Sequence, residues 1–216
     1  MTHPQTRQIA LDPDRSGLLF IDVQNFSVRR DGGEFAEVSD ADIAGKYGHY
    51  FDRIKTTAMP NMQKLQKGFR AAGIEVMYTT IESLTLDGRD RSLDYKITGF
   101  NVPKGSHDGK VVDEIAPEGD EIVFPKSSSS VFVSTHIDYV LRNLGICQIV
   151  LCGLLTDQCV ESAVRDACDL NYLVTLVPDA CATYSQERHD NSLKTIAGYC
   201  RQMNTDDLLA EIARTG

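Results

Sequence analysis

Short apolar runs alternate with longer stretches of helical periodicity along this chain. The runs are rich in Val, Ile, Leu and Phe and end at glycine, proline or polar residues, which is typical of buried strands. They predict strands near Gly17–Asp22, Ile74–Thr80, Glu121–Phe124, Gln148–Cys152 and Leu173–Val177, with a weaker sixth near Tyr199–Asn204. The intervening stretches predict helices near Tyr50–Ala72, His107–Ile115, Thr135–Leu144, Gln158–Leu170, Gln186–Gly198 and Asp206–Arg214. This alternation predicts an α/β fold of three layers, Rossmann-like, with a mainly parallel six-stranded sheet and helices on both faces.

The composition favours a globular protein with one hydrophobic core. The chain has 216 residues, and 42% of them are hydrophobic. This length supports one sizeable core and is short for two, so we expect residues 1–216 to form a single domain. The six cysteines show neither a C-x-x-C pair nor zinc-finger spacing. That pattern favours a reduced, cytoplasmic setting.

Charge and hydropathy argue against several classes of partner. The formal net charge of −9 disfavours nucleic acid or an anionic membrane as the main partner. No stretch approaches the roughly 20 apolar residues of a membrane span. The N-terminal sequence MTHPQTRQIALDPDRSG contains no apolar signal core, so we do not expect secretion. The charge still allows an anionic substrate, because a local lysine can outweigh the overall field.

Three residues with chemically active side chains lie where predicted strands end. Asp22 closes the first strand, Lys126 follows the third, and Cys159 lies in the first turn of the helix after the fourth. The carboxyl ends of parallel strands meet at one edge of the sheet, where ligands bind in open α/β folds. A helix N-terminus favours the thiolate, the nucleophilic form of cysteine. The sequence thus predicts a cysteine nucleophile beside an acid and an ammonium group.

The motifs around these three residues resemble the isochorismatase-like cysteine hydrolases, which include nicotinamidases, N-carbamoylsarcosine amidohydrolase and ureidoacrylate amidohydrolase. The family's D-x-Q motif is similar to Asp22–Gln24, its K-x-x-x-S-x-F-x-x-T motif to Lys126–Thr135, and its G-x-x-T-[DN]-x-C-V motif to Gly153–Val160. The stretches RDA at 165–167 and PDACAT at 178–183 also look like the family. The resemblance extends over residues 15–210, and the motifs occur in the family's order.

The resemblance implies a hydrolase that cleaves a C–N bond of a small carboxamide or carbamoyl/ureido compound through a thioester and releases ammonia or an amine. Asp22 would be the general base, Lys126 would keep this acid ionised and favour the thiolate, and Cys159 would attack the carbonyl. The oxyanion hole would use the backbone N–H of Cys159, at the helix start, and that of Leu155. By the resemblance, a cis peptide between Leu154 and Leu155 turns the second N–H inward.

Three further side chains are the expected substrate contacts. Gln24 is placed to orient the neighbouring acid or to touch substrate, and Phe132 to line the pocket. Glu82, just beyond the second strand, is placed to select a cationic or amide-bearing substrate. The irregular segments 27–48 and 82–106 both follow strand ends, where loops commonly carry specificity.

Two residues of the nucleophile motif predict a helix cap. Thr156 and Asp157 precede the helix that carries Cys159, and both residue types are favoured at helix N-termini. We therefore expect capping to be their main role.

The sequence also departs from parts of the family. Nicotinamidases hold a metal with a D-x-H arrangement and a second histidine after the second strand, but the corresponding stretch here, YTTIESLTLDGRDRSLDYKITGF, has no histidine. We therefore expect neither a metal nor another cofactor, and nicotinamide is not the expected substrate. The resemblance implies a homo-oligomer, either a dimer or a tetramer. It leaves the substrate unspecified.

Two alternative functions stay open at this point. One is ether hydrolysis of the isochorismatase type, although true isochorismatases lack the cysteine found here at position 159. The other is a non-catalytic redox-sensing protein with a low-pKa cysteine. An acid and a lysine beside the thiol favour catalysis, because a sensor needs no proton shuttle.

Overall fold

Six strands form a parallel sheet in the part of the chain that the computed structural model describes, residues 6–215. They are β1 (Ser16–Ile21), β2 (Glu75–Ile81), β3 (Val123–Lys126), β4 (Gln148–Leu154), β5 (Leu173–Ala182) and β6 (Arg201–Gln202). Their order is β3-β2-β1-β4-β5-β6, and every neighbouring pair is parallel. The predicted α/β fold with six strands is therefore confirmed.

Helices fill most of the connections between strands. The α-helices are α1 (Asn25–Val28), α2 (Asp40–Asp42), α3 (Gly48–Arg53), α4 (Met59–Ala71), α5 (Leu93–Thr98), α6 (Val131–Ser134), α7 (Ile137–Asn143), α8 (Glu161–Asp169), α9 (Gln186–Ile196) and α10 (Thr205–Thr215). Wider, π-type turns occupy Ile43–Tyr47, Ile54–Ala58 and Thr156–Val160, and single 3₁₀ turns occupy Pro13–Arg15, His107–Gly109 and Asp113–Ile115. Within residues 6–215, no helix combines the length and apolar character that crossing a bilayer requires.

The chain winds outward from the centre of the sheet in two directions. Its first half runs from β1 to β2 and β3, and its second half runs from β4 to β5 and β6. Because such crossovers are right-handed, the helices of the two halves cover opposite faces. Both β1 and β4 are buried along their whole length. Their carboxyl ends therefore form the switch point at which α/β folds bind ligands.

Two strands run through prolines that the sequence pattern treats as stops. β3 includes Pro125, which pairs with Thr80 of β2. Because β3 is the edge strand, the missing proline N–H costs no ladder hydrogen bond. β5 continues past Pro178 to Ala182, and its register against β4 shifts between Leu176 and Cys181. A bulge of this kind tolerates a residue that cannot donate to the ladder.

The predicted helix over His107–Ile115 is wrong. Its first and last residues form separate single turns, and the chain between them is extended. There Val111 bridges Gln24 in antiparallel fashion, and the Val112 N–H donates to the Val23 carbonyl at 3.1 Å. Long-range backbone pairing thus replaces the local helical preference. This segment closes over the chain that follows β1.

Candidate active site

The register of the sheet brings the ends of four strands together. Ile21, the last residue of β1, pairs with Thr79 of β2 and with Gly153 of β4. Gly153 is required there, because a Cβ would lie 2.2 Å from the Ile21 carbonyl oxygen and its φ is +129°. Lys126 ends β3 opposite Ile81 of β2. The side chains at these strand ends, or just beyond them, therefore lie along the same edge of the sheet.

Lys126 is the centre of the polar groups at this edge. Its Nζ lies 2.8 Å from Asp22 Oδ2 and 3.4 Å from Cys159 Sγ. The ammonium also donates to the Ser128 carbonyl at 2.8 Å and to the Tyr95 hydroxyl at 3.2 Å. Burial lowers the pKa of Lys126, but the Asp22 carboxylate and the neighbouring thiol raise it by more. The lysine is therefore a permanent cation inside the protein.

Asp22 is held at the end of β1 by its backbone and by Thr79. Its φ of +55° lies in the left-handed region, which aspartate tolerates better than most residues. The Thr79 hydroxyl donates to Oδ1 at 2.6 Å, and the Asp22 N–H donates to the Thr79 carbonyl at 3.1 Å. Oδ2 forms the ion pair with Lys126, and the carboxylate also interacts with the Cys159 thiol. This carboxylate is therefore placed to take a proton.

Cys159 lies in the π-type turn Thr156–Val160, directly before α8, and is buried. Burial raises the pKa of its thiol to about 12, although the Lys126 ammonium acts in the opposite direction. The Asp22 carboxylate adds to the rise. The expectation of a low-pKa cysteine is therefore wrong. The resting group is a neutral thiol, and a base must remove its proton when it attacks.

Tyr95 is a member of this site that the sequence pattern does not predict. Its hydroxyl lies 3.7 Å from Cys159 Sγ as well as 3.2 Å from Lys126 Nζ. Burial raises the pKa of this phenol, which therefore stays protonated and can donate a hydrogen bond to sulfur. It belongs to α5, within a segment expected to be irregular. The signals for α5 were Ser92, which caps it, and Gly99, which ends it with a φ of +81°.

The peptide bond between Leu154 and Leu155 is cis. It lies between the end of β4 and the turn that carries the thiol, as the resemblance implies. Leu155 and Cys159 line the same small cavity. Their backbone N–H groups remain our prediction for the oxyanion hole.

The turn that carries Cys159 is fastened from α9. The His189 ring Nδ1 lies 2.9 Å from Thr156 Oγ1, and its Nε2 lies 3.0 Å from Arg53 Nη2. Since a guanidinium only donates, Nε2 accepts and Nδ1–H donates to the threonine. Burial, aided by Arg53, lowers the pKa of His189 to about 4, so this tautomer is neutral. Ser192 also donates to the Thr156 carbonyl at 3.2 Å.

Asp157 is tied to the same region by charge. Its carboxylate accepts from the Thr183 hydroxyl and from Arg188 Nε, both at 2.5 Å. Neither Thr156 nor Asp157 caps the helix with its side chain, because both side chains bond to other elements. The expected capping role is therefore wrong, and the two residues anchor the turn instead.

A cavity of about 20 Å³ lies beside the thiol, with room for about one water molecule. It is lined by Asp22, Ser27, Glu34, Ile81, Phe100, Leu154, Leu155, Gln158 and Cys159. Glu34 and Phe100 come from the two segments that were expected to carry specificity. Within residues 6–215, no group of three or more His, Cys, Asp or Glu side chains is arranged to hold a metal ion.

The three expected substrate contacts do not line this cavity. Gln24 is fully buried, and its amide donates to the carbonyls of Ile81 and Asp108, both at 2.9 Å. Glu82 accepts from the Gly105 N–H at 2.6 Å. Phe132 packs on Tyr172 with ring centroids 5.9 Å apart. Each side chain has a structural partner elsewhere, and its contact with substrate stays a prediction.

The sequence and the fold both match known proteins. Residues 16–207 match the family model described as Isochorismatase domain. Two curated relatives are ureidoacrylate amidohydrolases named RutB. The one from Rhizobium rhizogenes is 28% identical over 219 residues, which cover 89% of this chain and 85% of that protein. The one from Agrobacterium fabrum is 28% identical over 236 residues, covering 93% and 95%.

Solved structures give the same result for the fold. A cysteine hydrolase from Pseudomonas syringae pv. phaseolicola superposes with a TM-score of 0.83 at 22% identity, covering all of both chains. N-carbamoylsarcosine amidase from Thermoplasma acidophilum superposes with a TM-score of 0.68 at 25% identity, covering 89% of this chain and 97% of its own.

Proposed function

The chain belongs to the isochorismatase family of hydrolases, and from that premise we propose that it cleaves a C–N bond of a small carboxamide or carbamoyl/ureido compound through a thioester on Cys159. The observation that carries the proposal is the contact of one buried ammonium, that of Lys126, with both Asp22 and Cys159. The ureidoacrylate amidohydrolases at 28% identity support an amide or ureido carbonyl as the group attacked.

The first half of the reaction forms the thioester. Asp22 Oδ2 takes the proton of the neutral thiol as sulfur attacks the carbonyl carbon, so no free thiolate is needed beforehand. The negative charge moves to the carbonyl oxygen, where the N–H groups of Leu155 and Cys159 stabilise it. The protonated Asp22 then gives its proton to the departing nitrogen, and the C–N bond breaks. Ammonia or an amine leaves.

The second half uses water. Asp22, again ionised, takes a proton from water as the oxygen attacks the thioester carbon. The C–S bond breaks, sulfur recovers the proton, and an acid is released. A ureido substrate gives a carbamic acid, which loses carbon dioxide. Lys126 keeps its charge throughout and holds Asp22 in place, because an ion pair inside the protein is hardly screened.

Neither alternative function has comparable support. A redox sensor needs an accessible thiol of low pKa, whereas Cys159 is only 6% exposed and burial raises its pKa to about 12. Ether hydrolysis of the isochorismatase type does not call for a cysteine nucleophile. The geometry around Cys159 therefore favours amide hydrolysis.

The proposal is tested by a panel of carboxamides and carbamoyl compounds with ammonia release as the readout. Acid-quenched reactions analysed by mass spectrometry should show an acyl or carbamoyl adduct on Cys159. Cys159→Ala should lose both ammonia release and the adduct. The matched control is Cys147→Ala, at a partly exposed cysteine outside the cavity, which should keep both. Full turnover by Cys159→Ala would overturn the thioester mechanism.

A further inference from the structure

Glu34 is an acidic side chain in the cavity that the hydrolytic steps do not use. It lines the same cavity as Cys159, where the other walls are mostly apolar. Its carboxylate accepts a hydrogen bond from the Tyr184 hydroxyl through Oε1. Within residues 6–215, no donor reaches the second oxygen, Oε2. One carboxylate oxygen therefore lies at the cavity without a protein partner.

The loop that carries Glu34 is held in place by contacts with the rest of the protein. Gly32 lies so close to α1 that a Cβ would be 2.2 Å from the Asn25 carbonyl oxygen. Arg30 fastens the far side of the loop by donating to the carbonyls of Phe35 and Val38, both at 2.7 Å. The Glu34 N–H itself donates to the Phe26 carbonyl at 3.2 Å. The position of the carboxylate is thus set by the fold.

The charge of Glu34 has no counter-ion in the cavity. Among the described residues, none of those that line it is Lys, Arg or His. The nearby Lys126 pairs with Asp22, and Arg188, which lies over the Tyr184 ring at 5.0 Å, pairs with Asp157. Burial raises the pKa of Glu34 to about 7, against the effect of the Tyr184 hydroxyl. The group is therefore mainly ionised above neutral pH.

We infer that Glu34 determines specificity by accepting a hydrogen bond from an N–H group of the substrate, so that the enzyme acts on small ureido or amide compounds that carry no carboxylate. This inference rests on the proposed hydrolysis and adds the class of substrate to it. A molecule whose carbonyl carbon reaches Sγ comes next to Glu34, because both residues line the same cavity. An amide, ureido or ammonium N–H there satisfies Oε2. A substrate carboxylate there meets an unscreened like charge.

Three ureido probes of similar size test the inference. N-propylurea is neutral, N-(2-aminoethyl)urea carries an ammonium group, and 3-ureidopropionate carries a carboxylate. Ammonia release is measured at about pH 8.5, where a carboxyl of pKa about 7 is ionised. The wild type should favour the neutral and cationic probes over the carboxylate by about tenfold or more in kcat/KM. Glu34→Gln should reduce that ratio by about tenfold, toward parity.

A second measurement separates binding from chemistry and guards against a folding defect. Dissociation constants of the three probes are measured with Cys159→Ala, with and without Glu34→Gln, after circular dichroism has confirmed the fold. The order of affinities should follow the kinetic order and change with Glu34→Gln. Glu37→Gln, at an exposed acid on the same loop, should change neither order.

The outcomes distinguish this inference from the proposed function. If the carboxylate probe is turned over as well as the others and Glu34→Gln leaves the ratio unchanged, the role of Glu34 is overturned while amide hydrolysis stands. A second outcome is that no probe releases ammonia, that no adduct forms on Cys159 and that Cys159→Ala binds none of the probes. In that case the role of Glu34 and the proposed amide hydrolysis are both overturned. If binding follows the expected order without turnover, the specificity role stands and the hydrolytic mechanism falls.

Discussion

Lys126 Nζ lies 2.8 Å from Asp22 Oδ2, and the two side chains are 0% and 3% exposed. Two opposite charges have thus been removed from water together. Such a pair adds little stability by itself, because desolvation offsets the attraction. Removing one partner is costly, because it leaves the other charge buried and unpaired.

Lys126→Met should therefore destabilise the protein more than the loss of a lysine usually does. We expect a loss of about 3–5 kcal/mol in the free energy of unfolding near neutral pH. Urea unfolding measures this loss.

Two matched variants support the interpretation of Lys126→Met. Lys104→Met, at an exposed lysine, should change stability little. The double variant Asp22→Asn with Lys126→Met removes both charges and should recover part of the loss. A Lys126→Met protein as stable as the wild type near neutral pH would show that the pair does not carry its expected charge.

The thiol of Cys159 should react slowly in the absence of substrate. Burial raises its pKa to about 12, so little thiolate exists near neutral pH. Alkylation by iodoacetamide, followed by mass spectrometry of the Cys159 peptide, should rise with pH without levelling off below about pH 9. Cys147, which is partly exposed, serves as the internal reference. Faster alkylation of Cys159 than of Cys147 near pH 7 would contradict a neutral resting thiol.

Tyr95→Phe should slow the reaction without unfolding the protein. The phenol oxygen lies 3.7 Å from Cys159 Sγ and 3.2 Å from Lys126 Nζ, so the variant removes a hydrogen bond to the reacting sulfur. One such bond is worth about 1 kcal/mol, which predicts a fall in kcat/KM of roughly fivefold to tenfold. The control is Tyr139→Phe, at a tyrosine that is 70% exposed. Equal values of kcat/KM for Tyr95→Phe and Tyr139→Phe would show that the Tyr95 hydroxyl has no role in the reaction.

The sequence identifies Asp22, Lys126 and Cys159 because each follows a strand, and a parallel sheet brings strand ends to one edge. Tyr95 and Glu34 were missed for the opposite reason. They lie in loops whose paths depend on distant contacts, such as the pairing of residues 110–112 with residues 23–25. Local signals predict that a turn occurs, but not which side chain it directs into a cavity.

His189→Gln should impair catalysis through the turn that carries the nucleophile. The imidazole bridges Arg53 and Thr156, and Thr156 follows Leu155 of the expected oxyanion hole. A misplaced N–H weakens the transition state more than the ground state, so kcat should fall by about tenfold or more while KM changes little. His136→Gln, at an exposed histidine, is the control. A rise in KM with an unchanged kcat would assign His189 to substrate binding instead.

Glu34 and His189 should give the wild type opposite dependences of stability on pH. Burial raises the pKa of Glu34 from 4.5 to about 7, so the native state holds a proton that the unfolded state has released. Stability from this group is present in acid and is lost as the pH rises through that interval, by up to about 3 kcal/mol. His189, whose pKa is lowered from 6.5 to about 4, adds stability as the pH rises through its own interval. The two effects offset each other where the intervals overlap.

Glu34→Gln should therefore uncover the effect of His189. Relative to the wild type, this variant should become progressively more stable as the pH rises from about 4.5 to about 7. Urea unfolding across this range measures the difference, and Glu37→Gln should follow the wild type in parallel. Glu34, whose pKa in the native state is about 7, is also the residue that we propose to contact the substrate. Parallel curves for Glu34→Gln and the wild type would mean that Glu34 is ionised throughout, and its hydrogen bonds would then have to be stronger than the Tyr184 contact alone provides.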